Sequence, residues 1–245
     1  MARFPRIPDL LTTANLTCGA ASLLLSSQGQ LTIACWLVFL AAVFDVFDGL
    51  AARALGGGSE LGKQLDSLAD LVSFGVAPAF ALWTHMQGSA PGGMAWAAAA
   101  ACWLCIASAW RLAKFNVDTR QGTGFLGLPT PANGMCWASL LLIAAGNGVP
   151  GHSPASALRA GTAALLSTPW AVAAAALLLG VLMLSELPLP SLKFKHGGWK
   201  GNEVIFLLIA GGAVLLPLFG LIAVPLLLIL YLLSPFWGKC FPKPL

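Results

Sequence analysis

The chain has 245 residues, of which 58% are hydrophobic and only 9% charged. Soluble domains carry about 25% charged residues, so the composition excludes an ordinary soluble domain and points to an integral membrane protein. The net charge of +4 says little about partners, and no stretch reads as a nucleic-acid surface. The six cysteines fall mostly inside apolar runs without the spacing of a disulfide framework.

Taken in chain order, Arg3 and Arg6 precede an apolar stretch interrupted by Asp9, Thr12, Thr13, Asn15 and Thr17. That is a poor signal-peptide core, and it reads as a first helix with a polar face buried in protein. Apolar windows separated by Gly, Pro and charge then predict eight spans, at 10–27, 31–54, 64–86, 94–115, 131–148, 168–186, 203–218 and 219–234. The last two meet at Gly220. Residues 149–167, rich in Gly, Pro and Ser, read as an irregular loop. With the N-terminus inside, Arg159 alone of the 13 Lys and Arg residues falls on the outer side. The positive-inside rule therefore sets both termini in the cytoplasm. The expected fold is a single all-α membrane domain over 1–245, a polytopic bundle of about eight transmembrane helices.

Against this apolar background, 45–70 reads DVFDGLAARALGGGSELGKQLDSLAD. Asp45 and Asp48 are i,i+3 near the end of the second span. Asp66 and Asp70 are i,i+4 near the start of the third. Each spacing puts two carboxylates on one helix face, and the short connection makes the helices antiparallel neighbours. The four acids then converge just inside the cytoplasmic boundary. Arg53 and Lys63 leave them in excess, and hard divalent cations with oxygen ligands are the natural counter-charge. Two such cations suit phosphoryl chemistry. No His or Cys is interleaved, which argues against zinc. An ion pathway would be expected nearer the midplane. Gly49 gives room for a ligand beside Asp48, and Ser59 is placed to cap the third helix.

The spacing D-x2-D-G-x2-A-R-x8-G-x3-D-x3-D, filled by Asp45, Asp48, Gly49, Ala52, Arg53, Gly62, Asp66 and Asp70, resembles the signature of the CDP-alcohol phosphotransferases. The resemblance implies a membrane enzyme that moves a substituted phosphoryl group from a CDP-linked donor to an alcohol and releases CMP. It implies two divalent cations, Mg²⁺ or Mn²⁺, held by Asp45, Asp48, Asp66 and Asp70, with Asp70 also the general base. It places Gly49, Arg53 and Ser59 at the CDP moiety, with Thr12 and Asn15 bordering the nucleotide, and it implies a homodimer.

Further stretches resemble the phosphatidylserine synthase branch. They include Asn15-Leu16-Thr17-Cys18-Gly19, Ser73-Phe74-Gly75-Val76-Ala77-Pro78-Ala79, Arg111-Leu112-Ala113-Lys114-Phe115-Asn116 and Gly127-Leu128-Pro129-Thr130-Pro131-Ala132. This likeness spans about the first 200 residues and leaves 203–234 as additional helices. It implies CDP-diacylglycerol as donor and L-serine as acceptor, in a bacterial inner membrane with the site facing the cytoplasm. Arg111, Asn116 and Lys193 become candidates for the acceptor or a phosphate. Leu50 stands where the branch often has Arg, and Lys114 where Arg is common. Glycerol 3-phosphate, inositol or another alcohol as acceptor, and a divalent-cation transporter, are the competing readings.

Overall fold

The computed structural model describes residues 6–57, 59–87, 93–118, 125–190, 199 and 202–238. The chain opens with helix α1 (Ile7–Ser27) and α2 (Leu31–Ala54). Next come α3 (Glu60–Asp70), a π-helical turn over Leu71–Val76 and α4 (Ala77–Gln87), which run on as one 28-residue length. Helix α5 (Met94–Val117) leads to a two-residue strand β1 (Phe125–Leu126), and then α6 (Thr130–Ala144), α7 (Ser153–Ser167) and α8 (Pro169–Leu184) follow. Strand β2 (Pro188–Leu189) pairs antiparallel with β1. Last come α9 (Glu203–Phe219), a 3-10 turn over Gly220–Ile222, α10 (Ala223–Leu232) and the short α11 (Ser234–Trp237).

Five helical lengths are long and apolar enough to cross a membrane, or up to six if the bent pair α7–α8 counts as one. Eight crossings are therefore not reached on helix length, because α6 and α8 have 15 and 16 residues where a full span needs about 20. The apolar run Glu203–Leu232 is not one straight span. The side chains of Leu227 and Leu230 lie against Gly211, and Val204 lies against Gly238. A straight helix would hold residues 211 and 227 about 24 Å apart, so the run folds back at Gly220, where φ is +58°.

The expected loop over 149–167 is corrected by α7, a helix that meets α8 at 98°. Pro154 sits in its first turn, where a missing N–H costs nothing.

Helix α1 buries its small and polar residues and turns its apolar ones outward. Thr12, Asn15, Cys18, Gly19, Ser22 and Ser26 are buried, while Leu10 and Leu24 are exposed. The 3–4 spacing makes these buried residues one stripe. In lipid this is the favourable arrangement, since small residues let backbones approach and polar ones find partners. Ser22 donates to the Ala34 carbonyl at 2.8 Å.

The π turn lies at the centre of the packing. A Cβ on Gly19 of α1 would collide with Ser73. On Gly134 of α6 it would stand 2.6 Å from the Phe74 carbonyl oxygen, and on Gly75 it would stand 2.8 Å from Ser108 Cβ of α5. Three helices thus close on this turn through missing side chains, and Ser73 Oγ donates to the Asn15 carbonyl at 2.9 Å. Asp70 is the residue at which the turn begins.

Gly134→Ala is expected to lower the melting temperature of the detergent-purified protein, with an overpacking cost of about 1–3 kcal/mol. Gly161→Ala in α7, where a Cβ meets nothing within 4 Å, is expected to be neutral or to stabilise by about 0.5–1 kcal/mol. A thermal melt of the two variants checks the contrast.

Candidate active site

The two acid-bearing helices meet as their spacing predicts. The carboxylate oxygens of Asp45, Asp48 and Asp66 lie within 4.8 Å of one another. Asp70 is beside them, its carboxyl group in hydrogen-bonding contact with that of Asp45. Asp48 and Asp70 are buried. Helix α1 supplies a donor to each: Thr12 Oγ1 donates to Asp48 Oδ2 at 2.7 Å, and Asn15 Nδ2 donates to Asp70 Oδ1 at 3.2 Å. The Gly49 N–H also reaches Asp48.

Two unit charges at 4.8 Å repel by about 3 kcal/mol at an effective dielectric constant of 20. Three such pairs sum to roughly 10 kcal/mol, comparable to the whole stability of a domain. The neutral donors Thr12 and Asn15 orient the acids without cancelling their charge. Protons or cationic charge must offset this repulsion, and an all-oxygen donor set of three or four carboxylates fits a hard divalent cation. The residues present therefore suit the cations that the sequence implies.

A cavity of about 350 Å³ opens from this cluster between α1, α2 and the start of α3. Thr12, Asp48, Gly49, Ser59, Lys63 and Asp66 line it, together with Asp9 and Gly62. Ser59 caps α3 as expected, its Oγ accepting from the Gly62 N–H at 2.9 Å. Gly62 is closely approached: a Cβ there would stand 3.0 Å from Asp9 Oδ1 and 3.1 Å from Ser59 Oγ, so these side chains would have to shift. Arg53 is exposed in the last turn of α2, its guanidinium beside Gly49.

Arg111, on α5, is buried, one turn beyond Ser108, which packs against Gly75 of the π turn. Its guanidinium carbon stands 5.0 Å from the centre of the Phe115 ring. It lines a second cavity, of about 280 Å³, with Lys114, Asp118, Leu126, Ser185 and Glu186. Asn116, also a candidate for the acceptor or a phosphate, bonds through its amide nitrogen and backbone carbonyl, and its Oδ1 is buried without a partner. Its Nδ2 donates to Ser67 Oγ at 2.9 Å and its carbonyl accepts from Lys63 Nζ at 3.1 Å. Asn116 therefore ties α5 to α3. Lys193 lies outside the described residues.

Sequence reasoning placed Thr12 and Asn15 beside the nucleotide. Thr12 does line the first cavity, but both residues act directly on the acids. Their spacing from Asp9 along one face of α1 was the available signal. Asp9 as a lining residue was missed, as was Glu186. The signal for Glu186 was weak, because it sits in a loop 75 positions beyond Arg111.

The profile of the family described as CDP-alcohol phosphatidyltransferase matches residues 6–182. The CDP-diacylglycerol–serine O-phosphatidyltransferase of Methanocaldococcus jannaschii is 32% identical over 184 residues, covering 75% of this chain and 73% of that protein. The enzyme of the same name from Helicobacter pylori strain 26695 is 31% identical over 204 residues, covering 82% and 78%. A crystal structure of Mycobacterium tuberculosis phosphatidylinositol phosphate synthase with CDP-DAG bound aligns with a TM-score of 0.48 and 25% identity, over 72% of this chain and 84% of that one. With an acid cluster at the family's signature positions and a profile match over most of its length, the chain belongs to the CDP-alcohol phosphatidyltransferase family.

Proposed function

We propose that the protein transfers the phosphatidyl group of CDP-diacylglycerol to the hydroxyl of L-serine, releasing CMP and forming phosphatidylserine. The observation that carries this reading is the convergence of Asp45, Asp48 and Asp66, with Asp70 alongside, at a cavity of about 350 Å³ lined by Asp48 and Asp66. The serine acceptor is supported by relatives of that name matching over more than two thirds of their length. The positive-inside orientation supports a site on the cytoplasmic face.

In this reading Asp45, Asp48, Asp66 and Asp70 hold two divalent cations, Mg²⁺ or Mn²⁺. When bound, these supply positive charge to the pyrophosphate oxygens and to the departing CMP. Thr12 and Asn15 fix the rotamers of Asp48 and Asp70. Gly49, Ser59 and Lys63 border the cytidine side of the donor, with Arg53 at the rim, and the acyl chains remain in the bilayer. Asp70 takes the proton of the serine hydroxyl. The serine oxygen then forms a bond to the phosphorus that carries diacylglycerol, and the bond from that phosphorus to the bridging oxygen breaks, its electron pair leaving with CMP. Arg111, buried on α5, steadies the acceptor as it approaches.

Three outcomes are expected. Purified protein given CDP-diacylglycerol should release CMP only with Mg²⁺ or Mn²⁺ and an acceptor, with L-serine preferred over glycerol 3-phosphate and inositol. Metal-independent release would remove the cation role, and preference for another alcohol would remove serine. Asp70→Asn should lower turnover by about 10²–10⁴-fold while CDP-diacylglycerol still binds, and a wild-type rate would remove Asp70 as base. Thr12→Val should raise the Mn²⁺ concentration needed for half-maximal rate by about 10–100-fold, read from a metal titration.

A further inference from the structure

Asn15 makes two hydrogen bonds from α1 to the chain around the π turn. Its side-chain Nδ2 donates to Asp70 Oδ1 at 3.2 Å, and its main-chain carbonyl accepts from Ser73 Oγ at 2.9 Å. Asp70 and Ser73 stand three residues apart, one at the head of the turn and one within it. The two bonds and the backbone between them therefore close a ring. All three residues are buried, Asn15 and Ser73 completely.

The two anchors of Asn15 differ in kind. Its Oδ1 is buried with no hydrogen-bond partner, so the amide is held at its nitrogen alone. A single bond of 3.2 Å lies at the long end of the usual N–H···O range and leaves the amide able to turn about it. The position of Nδ2 is then set by the main chain that carries it. A carbonyl inside a helix already accepts from the N–H four residues on, and its second lone pair is open to a further donor. Ser73 supplies that donor. Gly19 lets it come close, since a Cβ on Gly19 would collide with Ser73 Oγ and stand 2.8 Å from Ser73 Cα. The Asn15 carbonyl needs no second partner to be satisfied. What the Ser73 bond adds is a fixed register of α1 against Asp70.

We propose that Ser73 is a positioning residue for Asp70 and acts through Asn15. Ser73 Oγ fixes the main chain of α1, the main chain fixes the Asn15 amide, and the amide holds Asp70 Oδ1. The other oxygen of Asp70 is thereby held ready for the proton. The assignment rests on the reading of Asp70 as the base. A misplacement of about 1 Å at a reacting group costs about 10²-fold in rate, so this clamp acts on turnover. It leaves donor binding alone, because Asn15, Asp70 and Ser73 do not line the cavity assigned to the donor.

The test is a double-mutant cycle on CMP release by the full-length protein, with Ser73→Ala, Asn15→Ala and the two combined, each rate divided by the folded fraction. Ser73→Ala is expected to lower kcat by about threefold to tenfold, the worth of one neutral hydrogen bond, with the KM for CDP-diacylglycerol unchanged. Asn15→Ala should lower kcat at least as far. In that background Ser73→Ala should lower kcat no further, since the link to Asp70 is already cut. An unchanged kcat in Ser73→Ala would overturn the assignment. So would additive losses in the cycle, or a donor KM that rises as kcat falls, which mark a structural role. If Asn15→Ala does not fold, Asp70→Asn serves as the background, and a further loss on adding Ser73→Ala overturns the assignment there. A wild-type rate in Asp70→Asn alone would instead overturn the reading of Asp70 as the base, and this assignment with it.

Discussion

Mutual repulsion among carboxylates is the constraint on which this structure turns. Three of them converge within 4.8 Å in a chain where only 9% of residues are charged. Such an arrangement opposes folding while all the acids stay ionised, so it favours protons or a cationic ligand, and its oxygen donors fit a hard divalent cation. The bundle holds them together through neutral means. Helix α1 gives a hydroxyl to Asp48 and an amide to Asp70, and small residues bring the helices close enough for those bonds to form.

The packing at the π turn belongs to the same design. Gly19, Gly75 and Gly134 allow α1, α5 and α6 to close on Leu71–Val76. Asp70 stands at the head of that turn, so its carboxyl group inherits a position fixed by three neighbouring helices. π-helical turns occur frequently at functional sites, and here the wider turn coincides with the acid assigned to proton removal. Of the two charged cavities, one is lined by Asp48 and Asp66 and the other by Arg111.

Much of this was legible in the sequence, because the relevant signals are local. The i,i+3 and i,i+4 spacings put the aspartates on facing surfaces, Ser59 announced the cap of α3, and Gly220 marked the reversal between α9 and α10. Features made by contacts between distant segments were not legible. No local pattern predicts a π turn, since it follows from how α1, α5 and α6 press on Phe74 and Ser73. Helix α7 was hidden by Pro150, Gly151 and Pro154, which punctuate the chain just before and at its start. Asn116 shares its helix with Arg111 but reaches Ser67 on α3, which its position in sequence did not disclose. Glu186 lines a cavity with Lys114, a pairing of segments that goes with the β1–β2 contact between distant stretches of chain.

The most direct measurement is the number of Mn²⁺ ions held by the purified chain with CDP-diacylglycerol present, counted from the paramagnetic resonance signal of free Mn²⁺. About two ions per chain are expected, with binding lost when Asp45 and Asp66 are both replaced by Asn. A wild-type chain that releases CMP while holding no Mn²⁺, or a double variant that binds as the wild type does, would contradict the assignment of the acid cluster as a phosphoryl-transfer metal site.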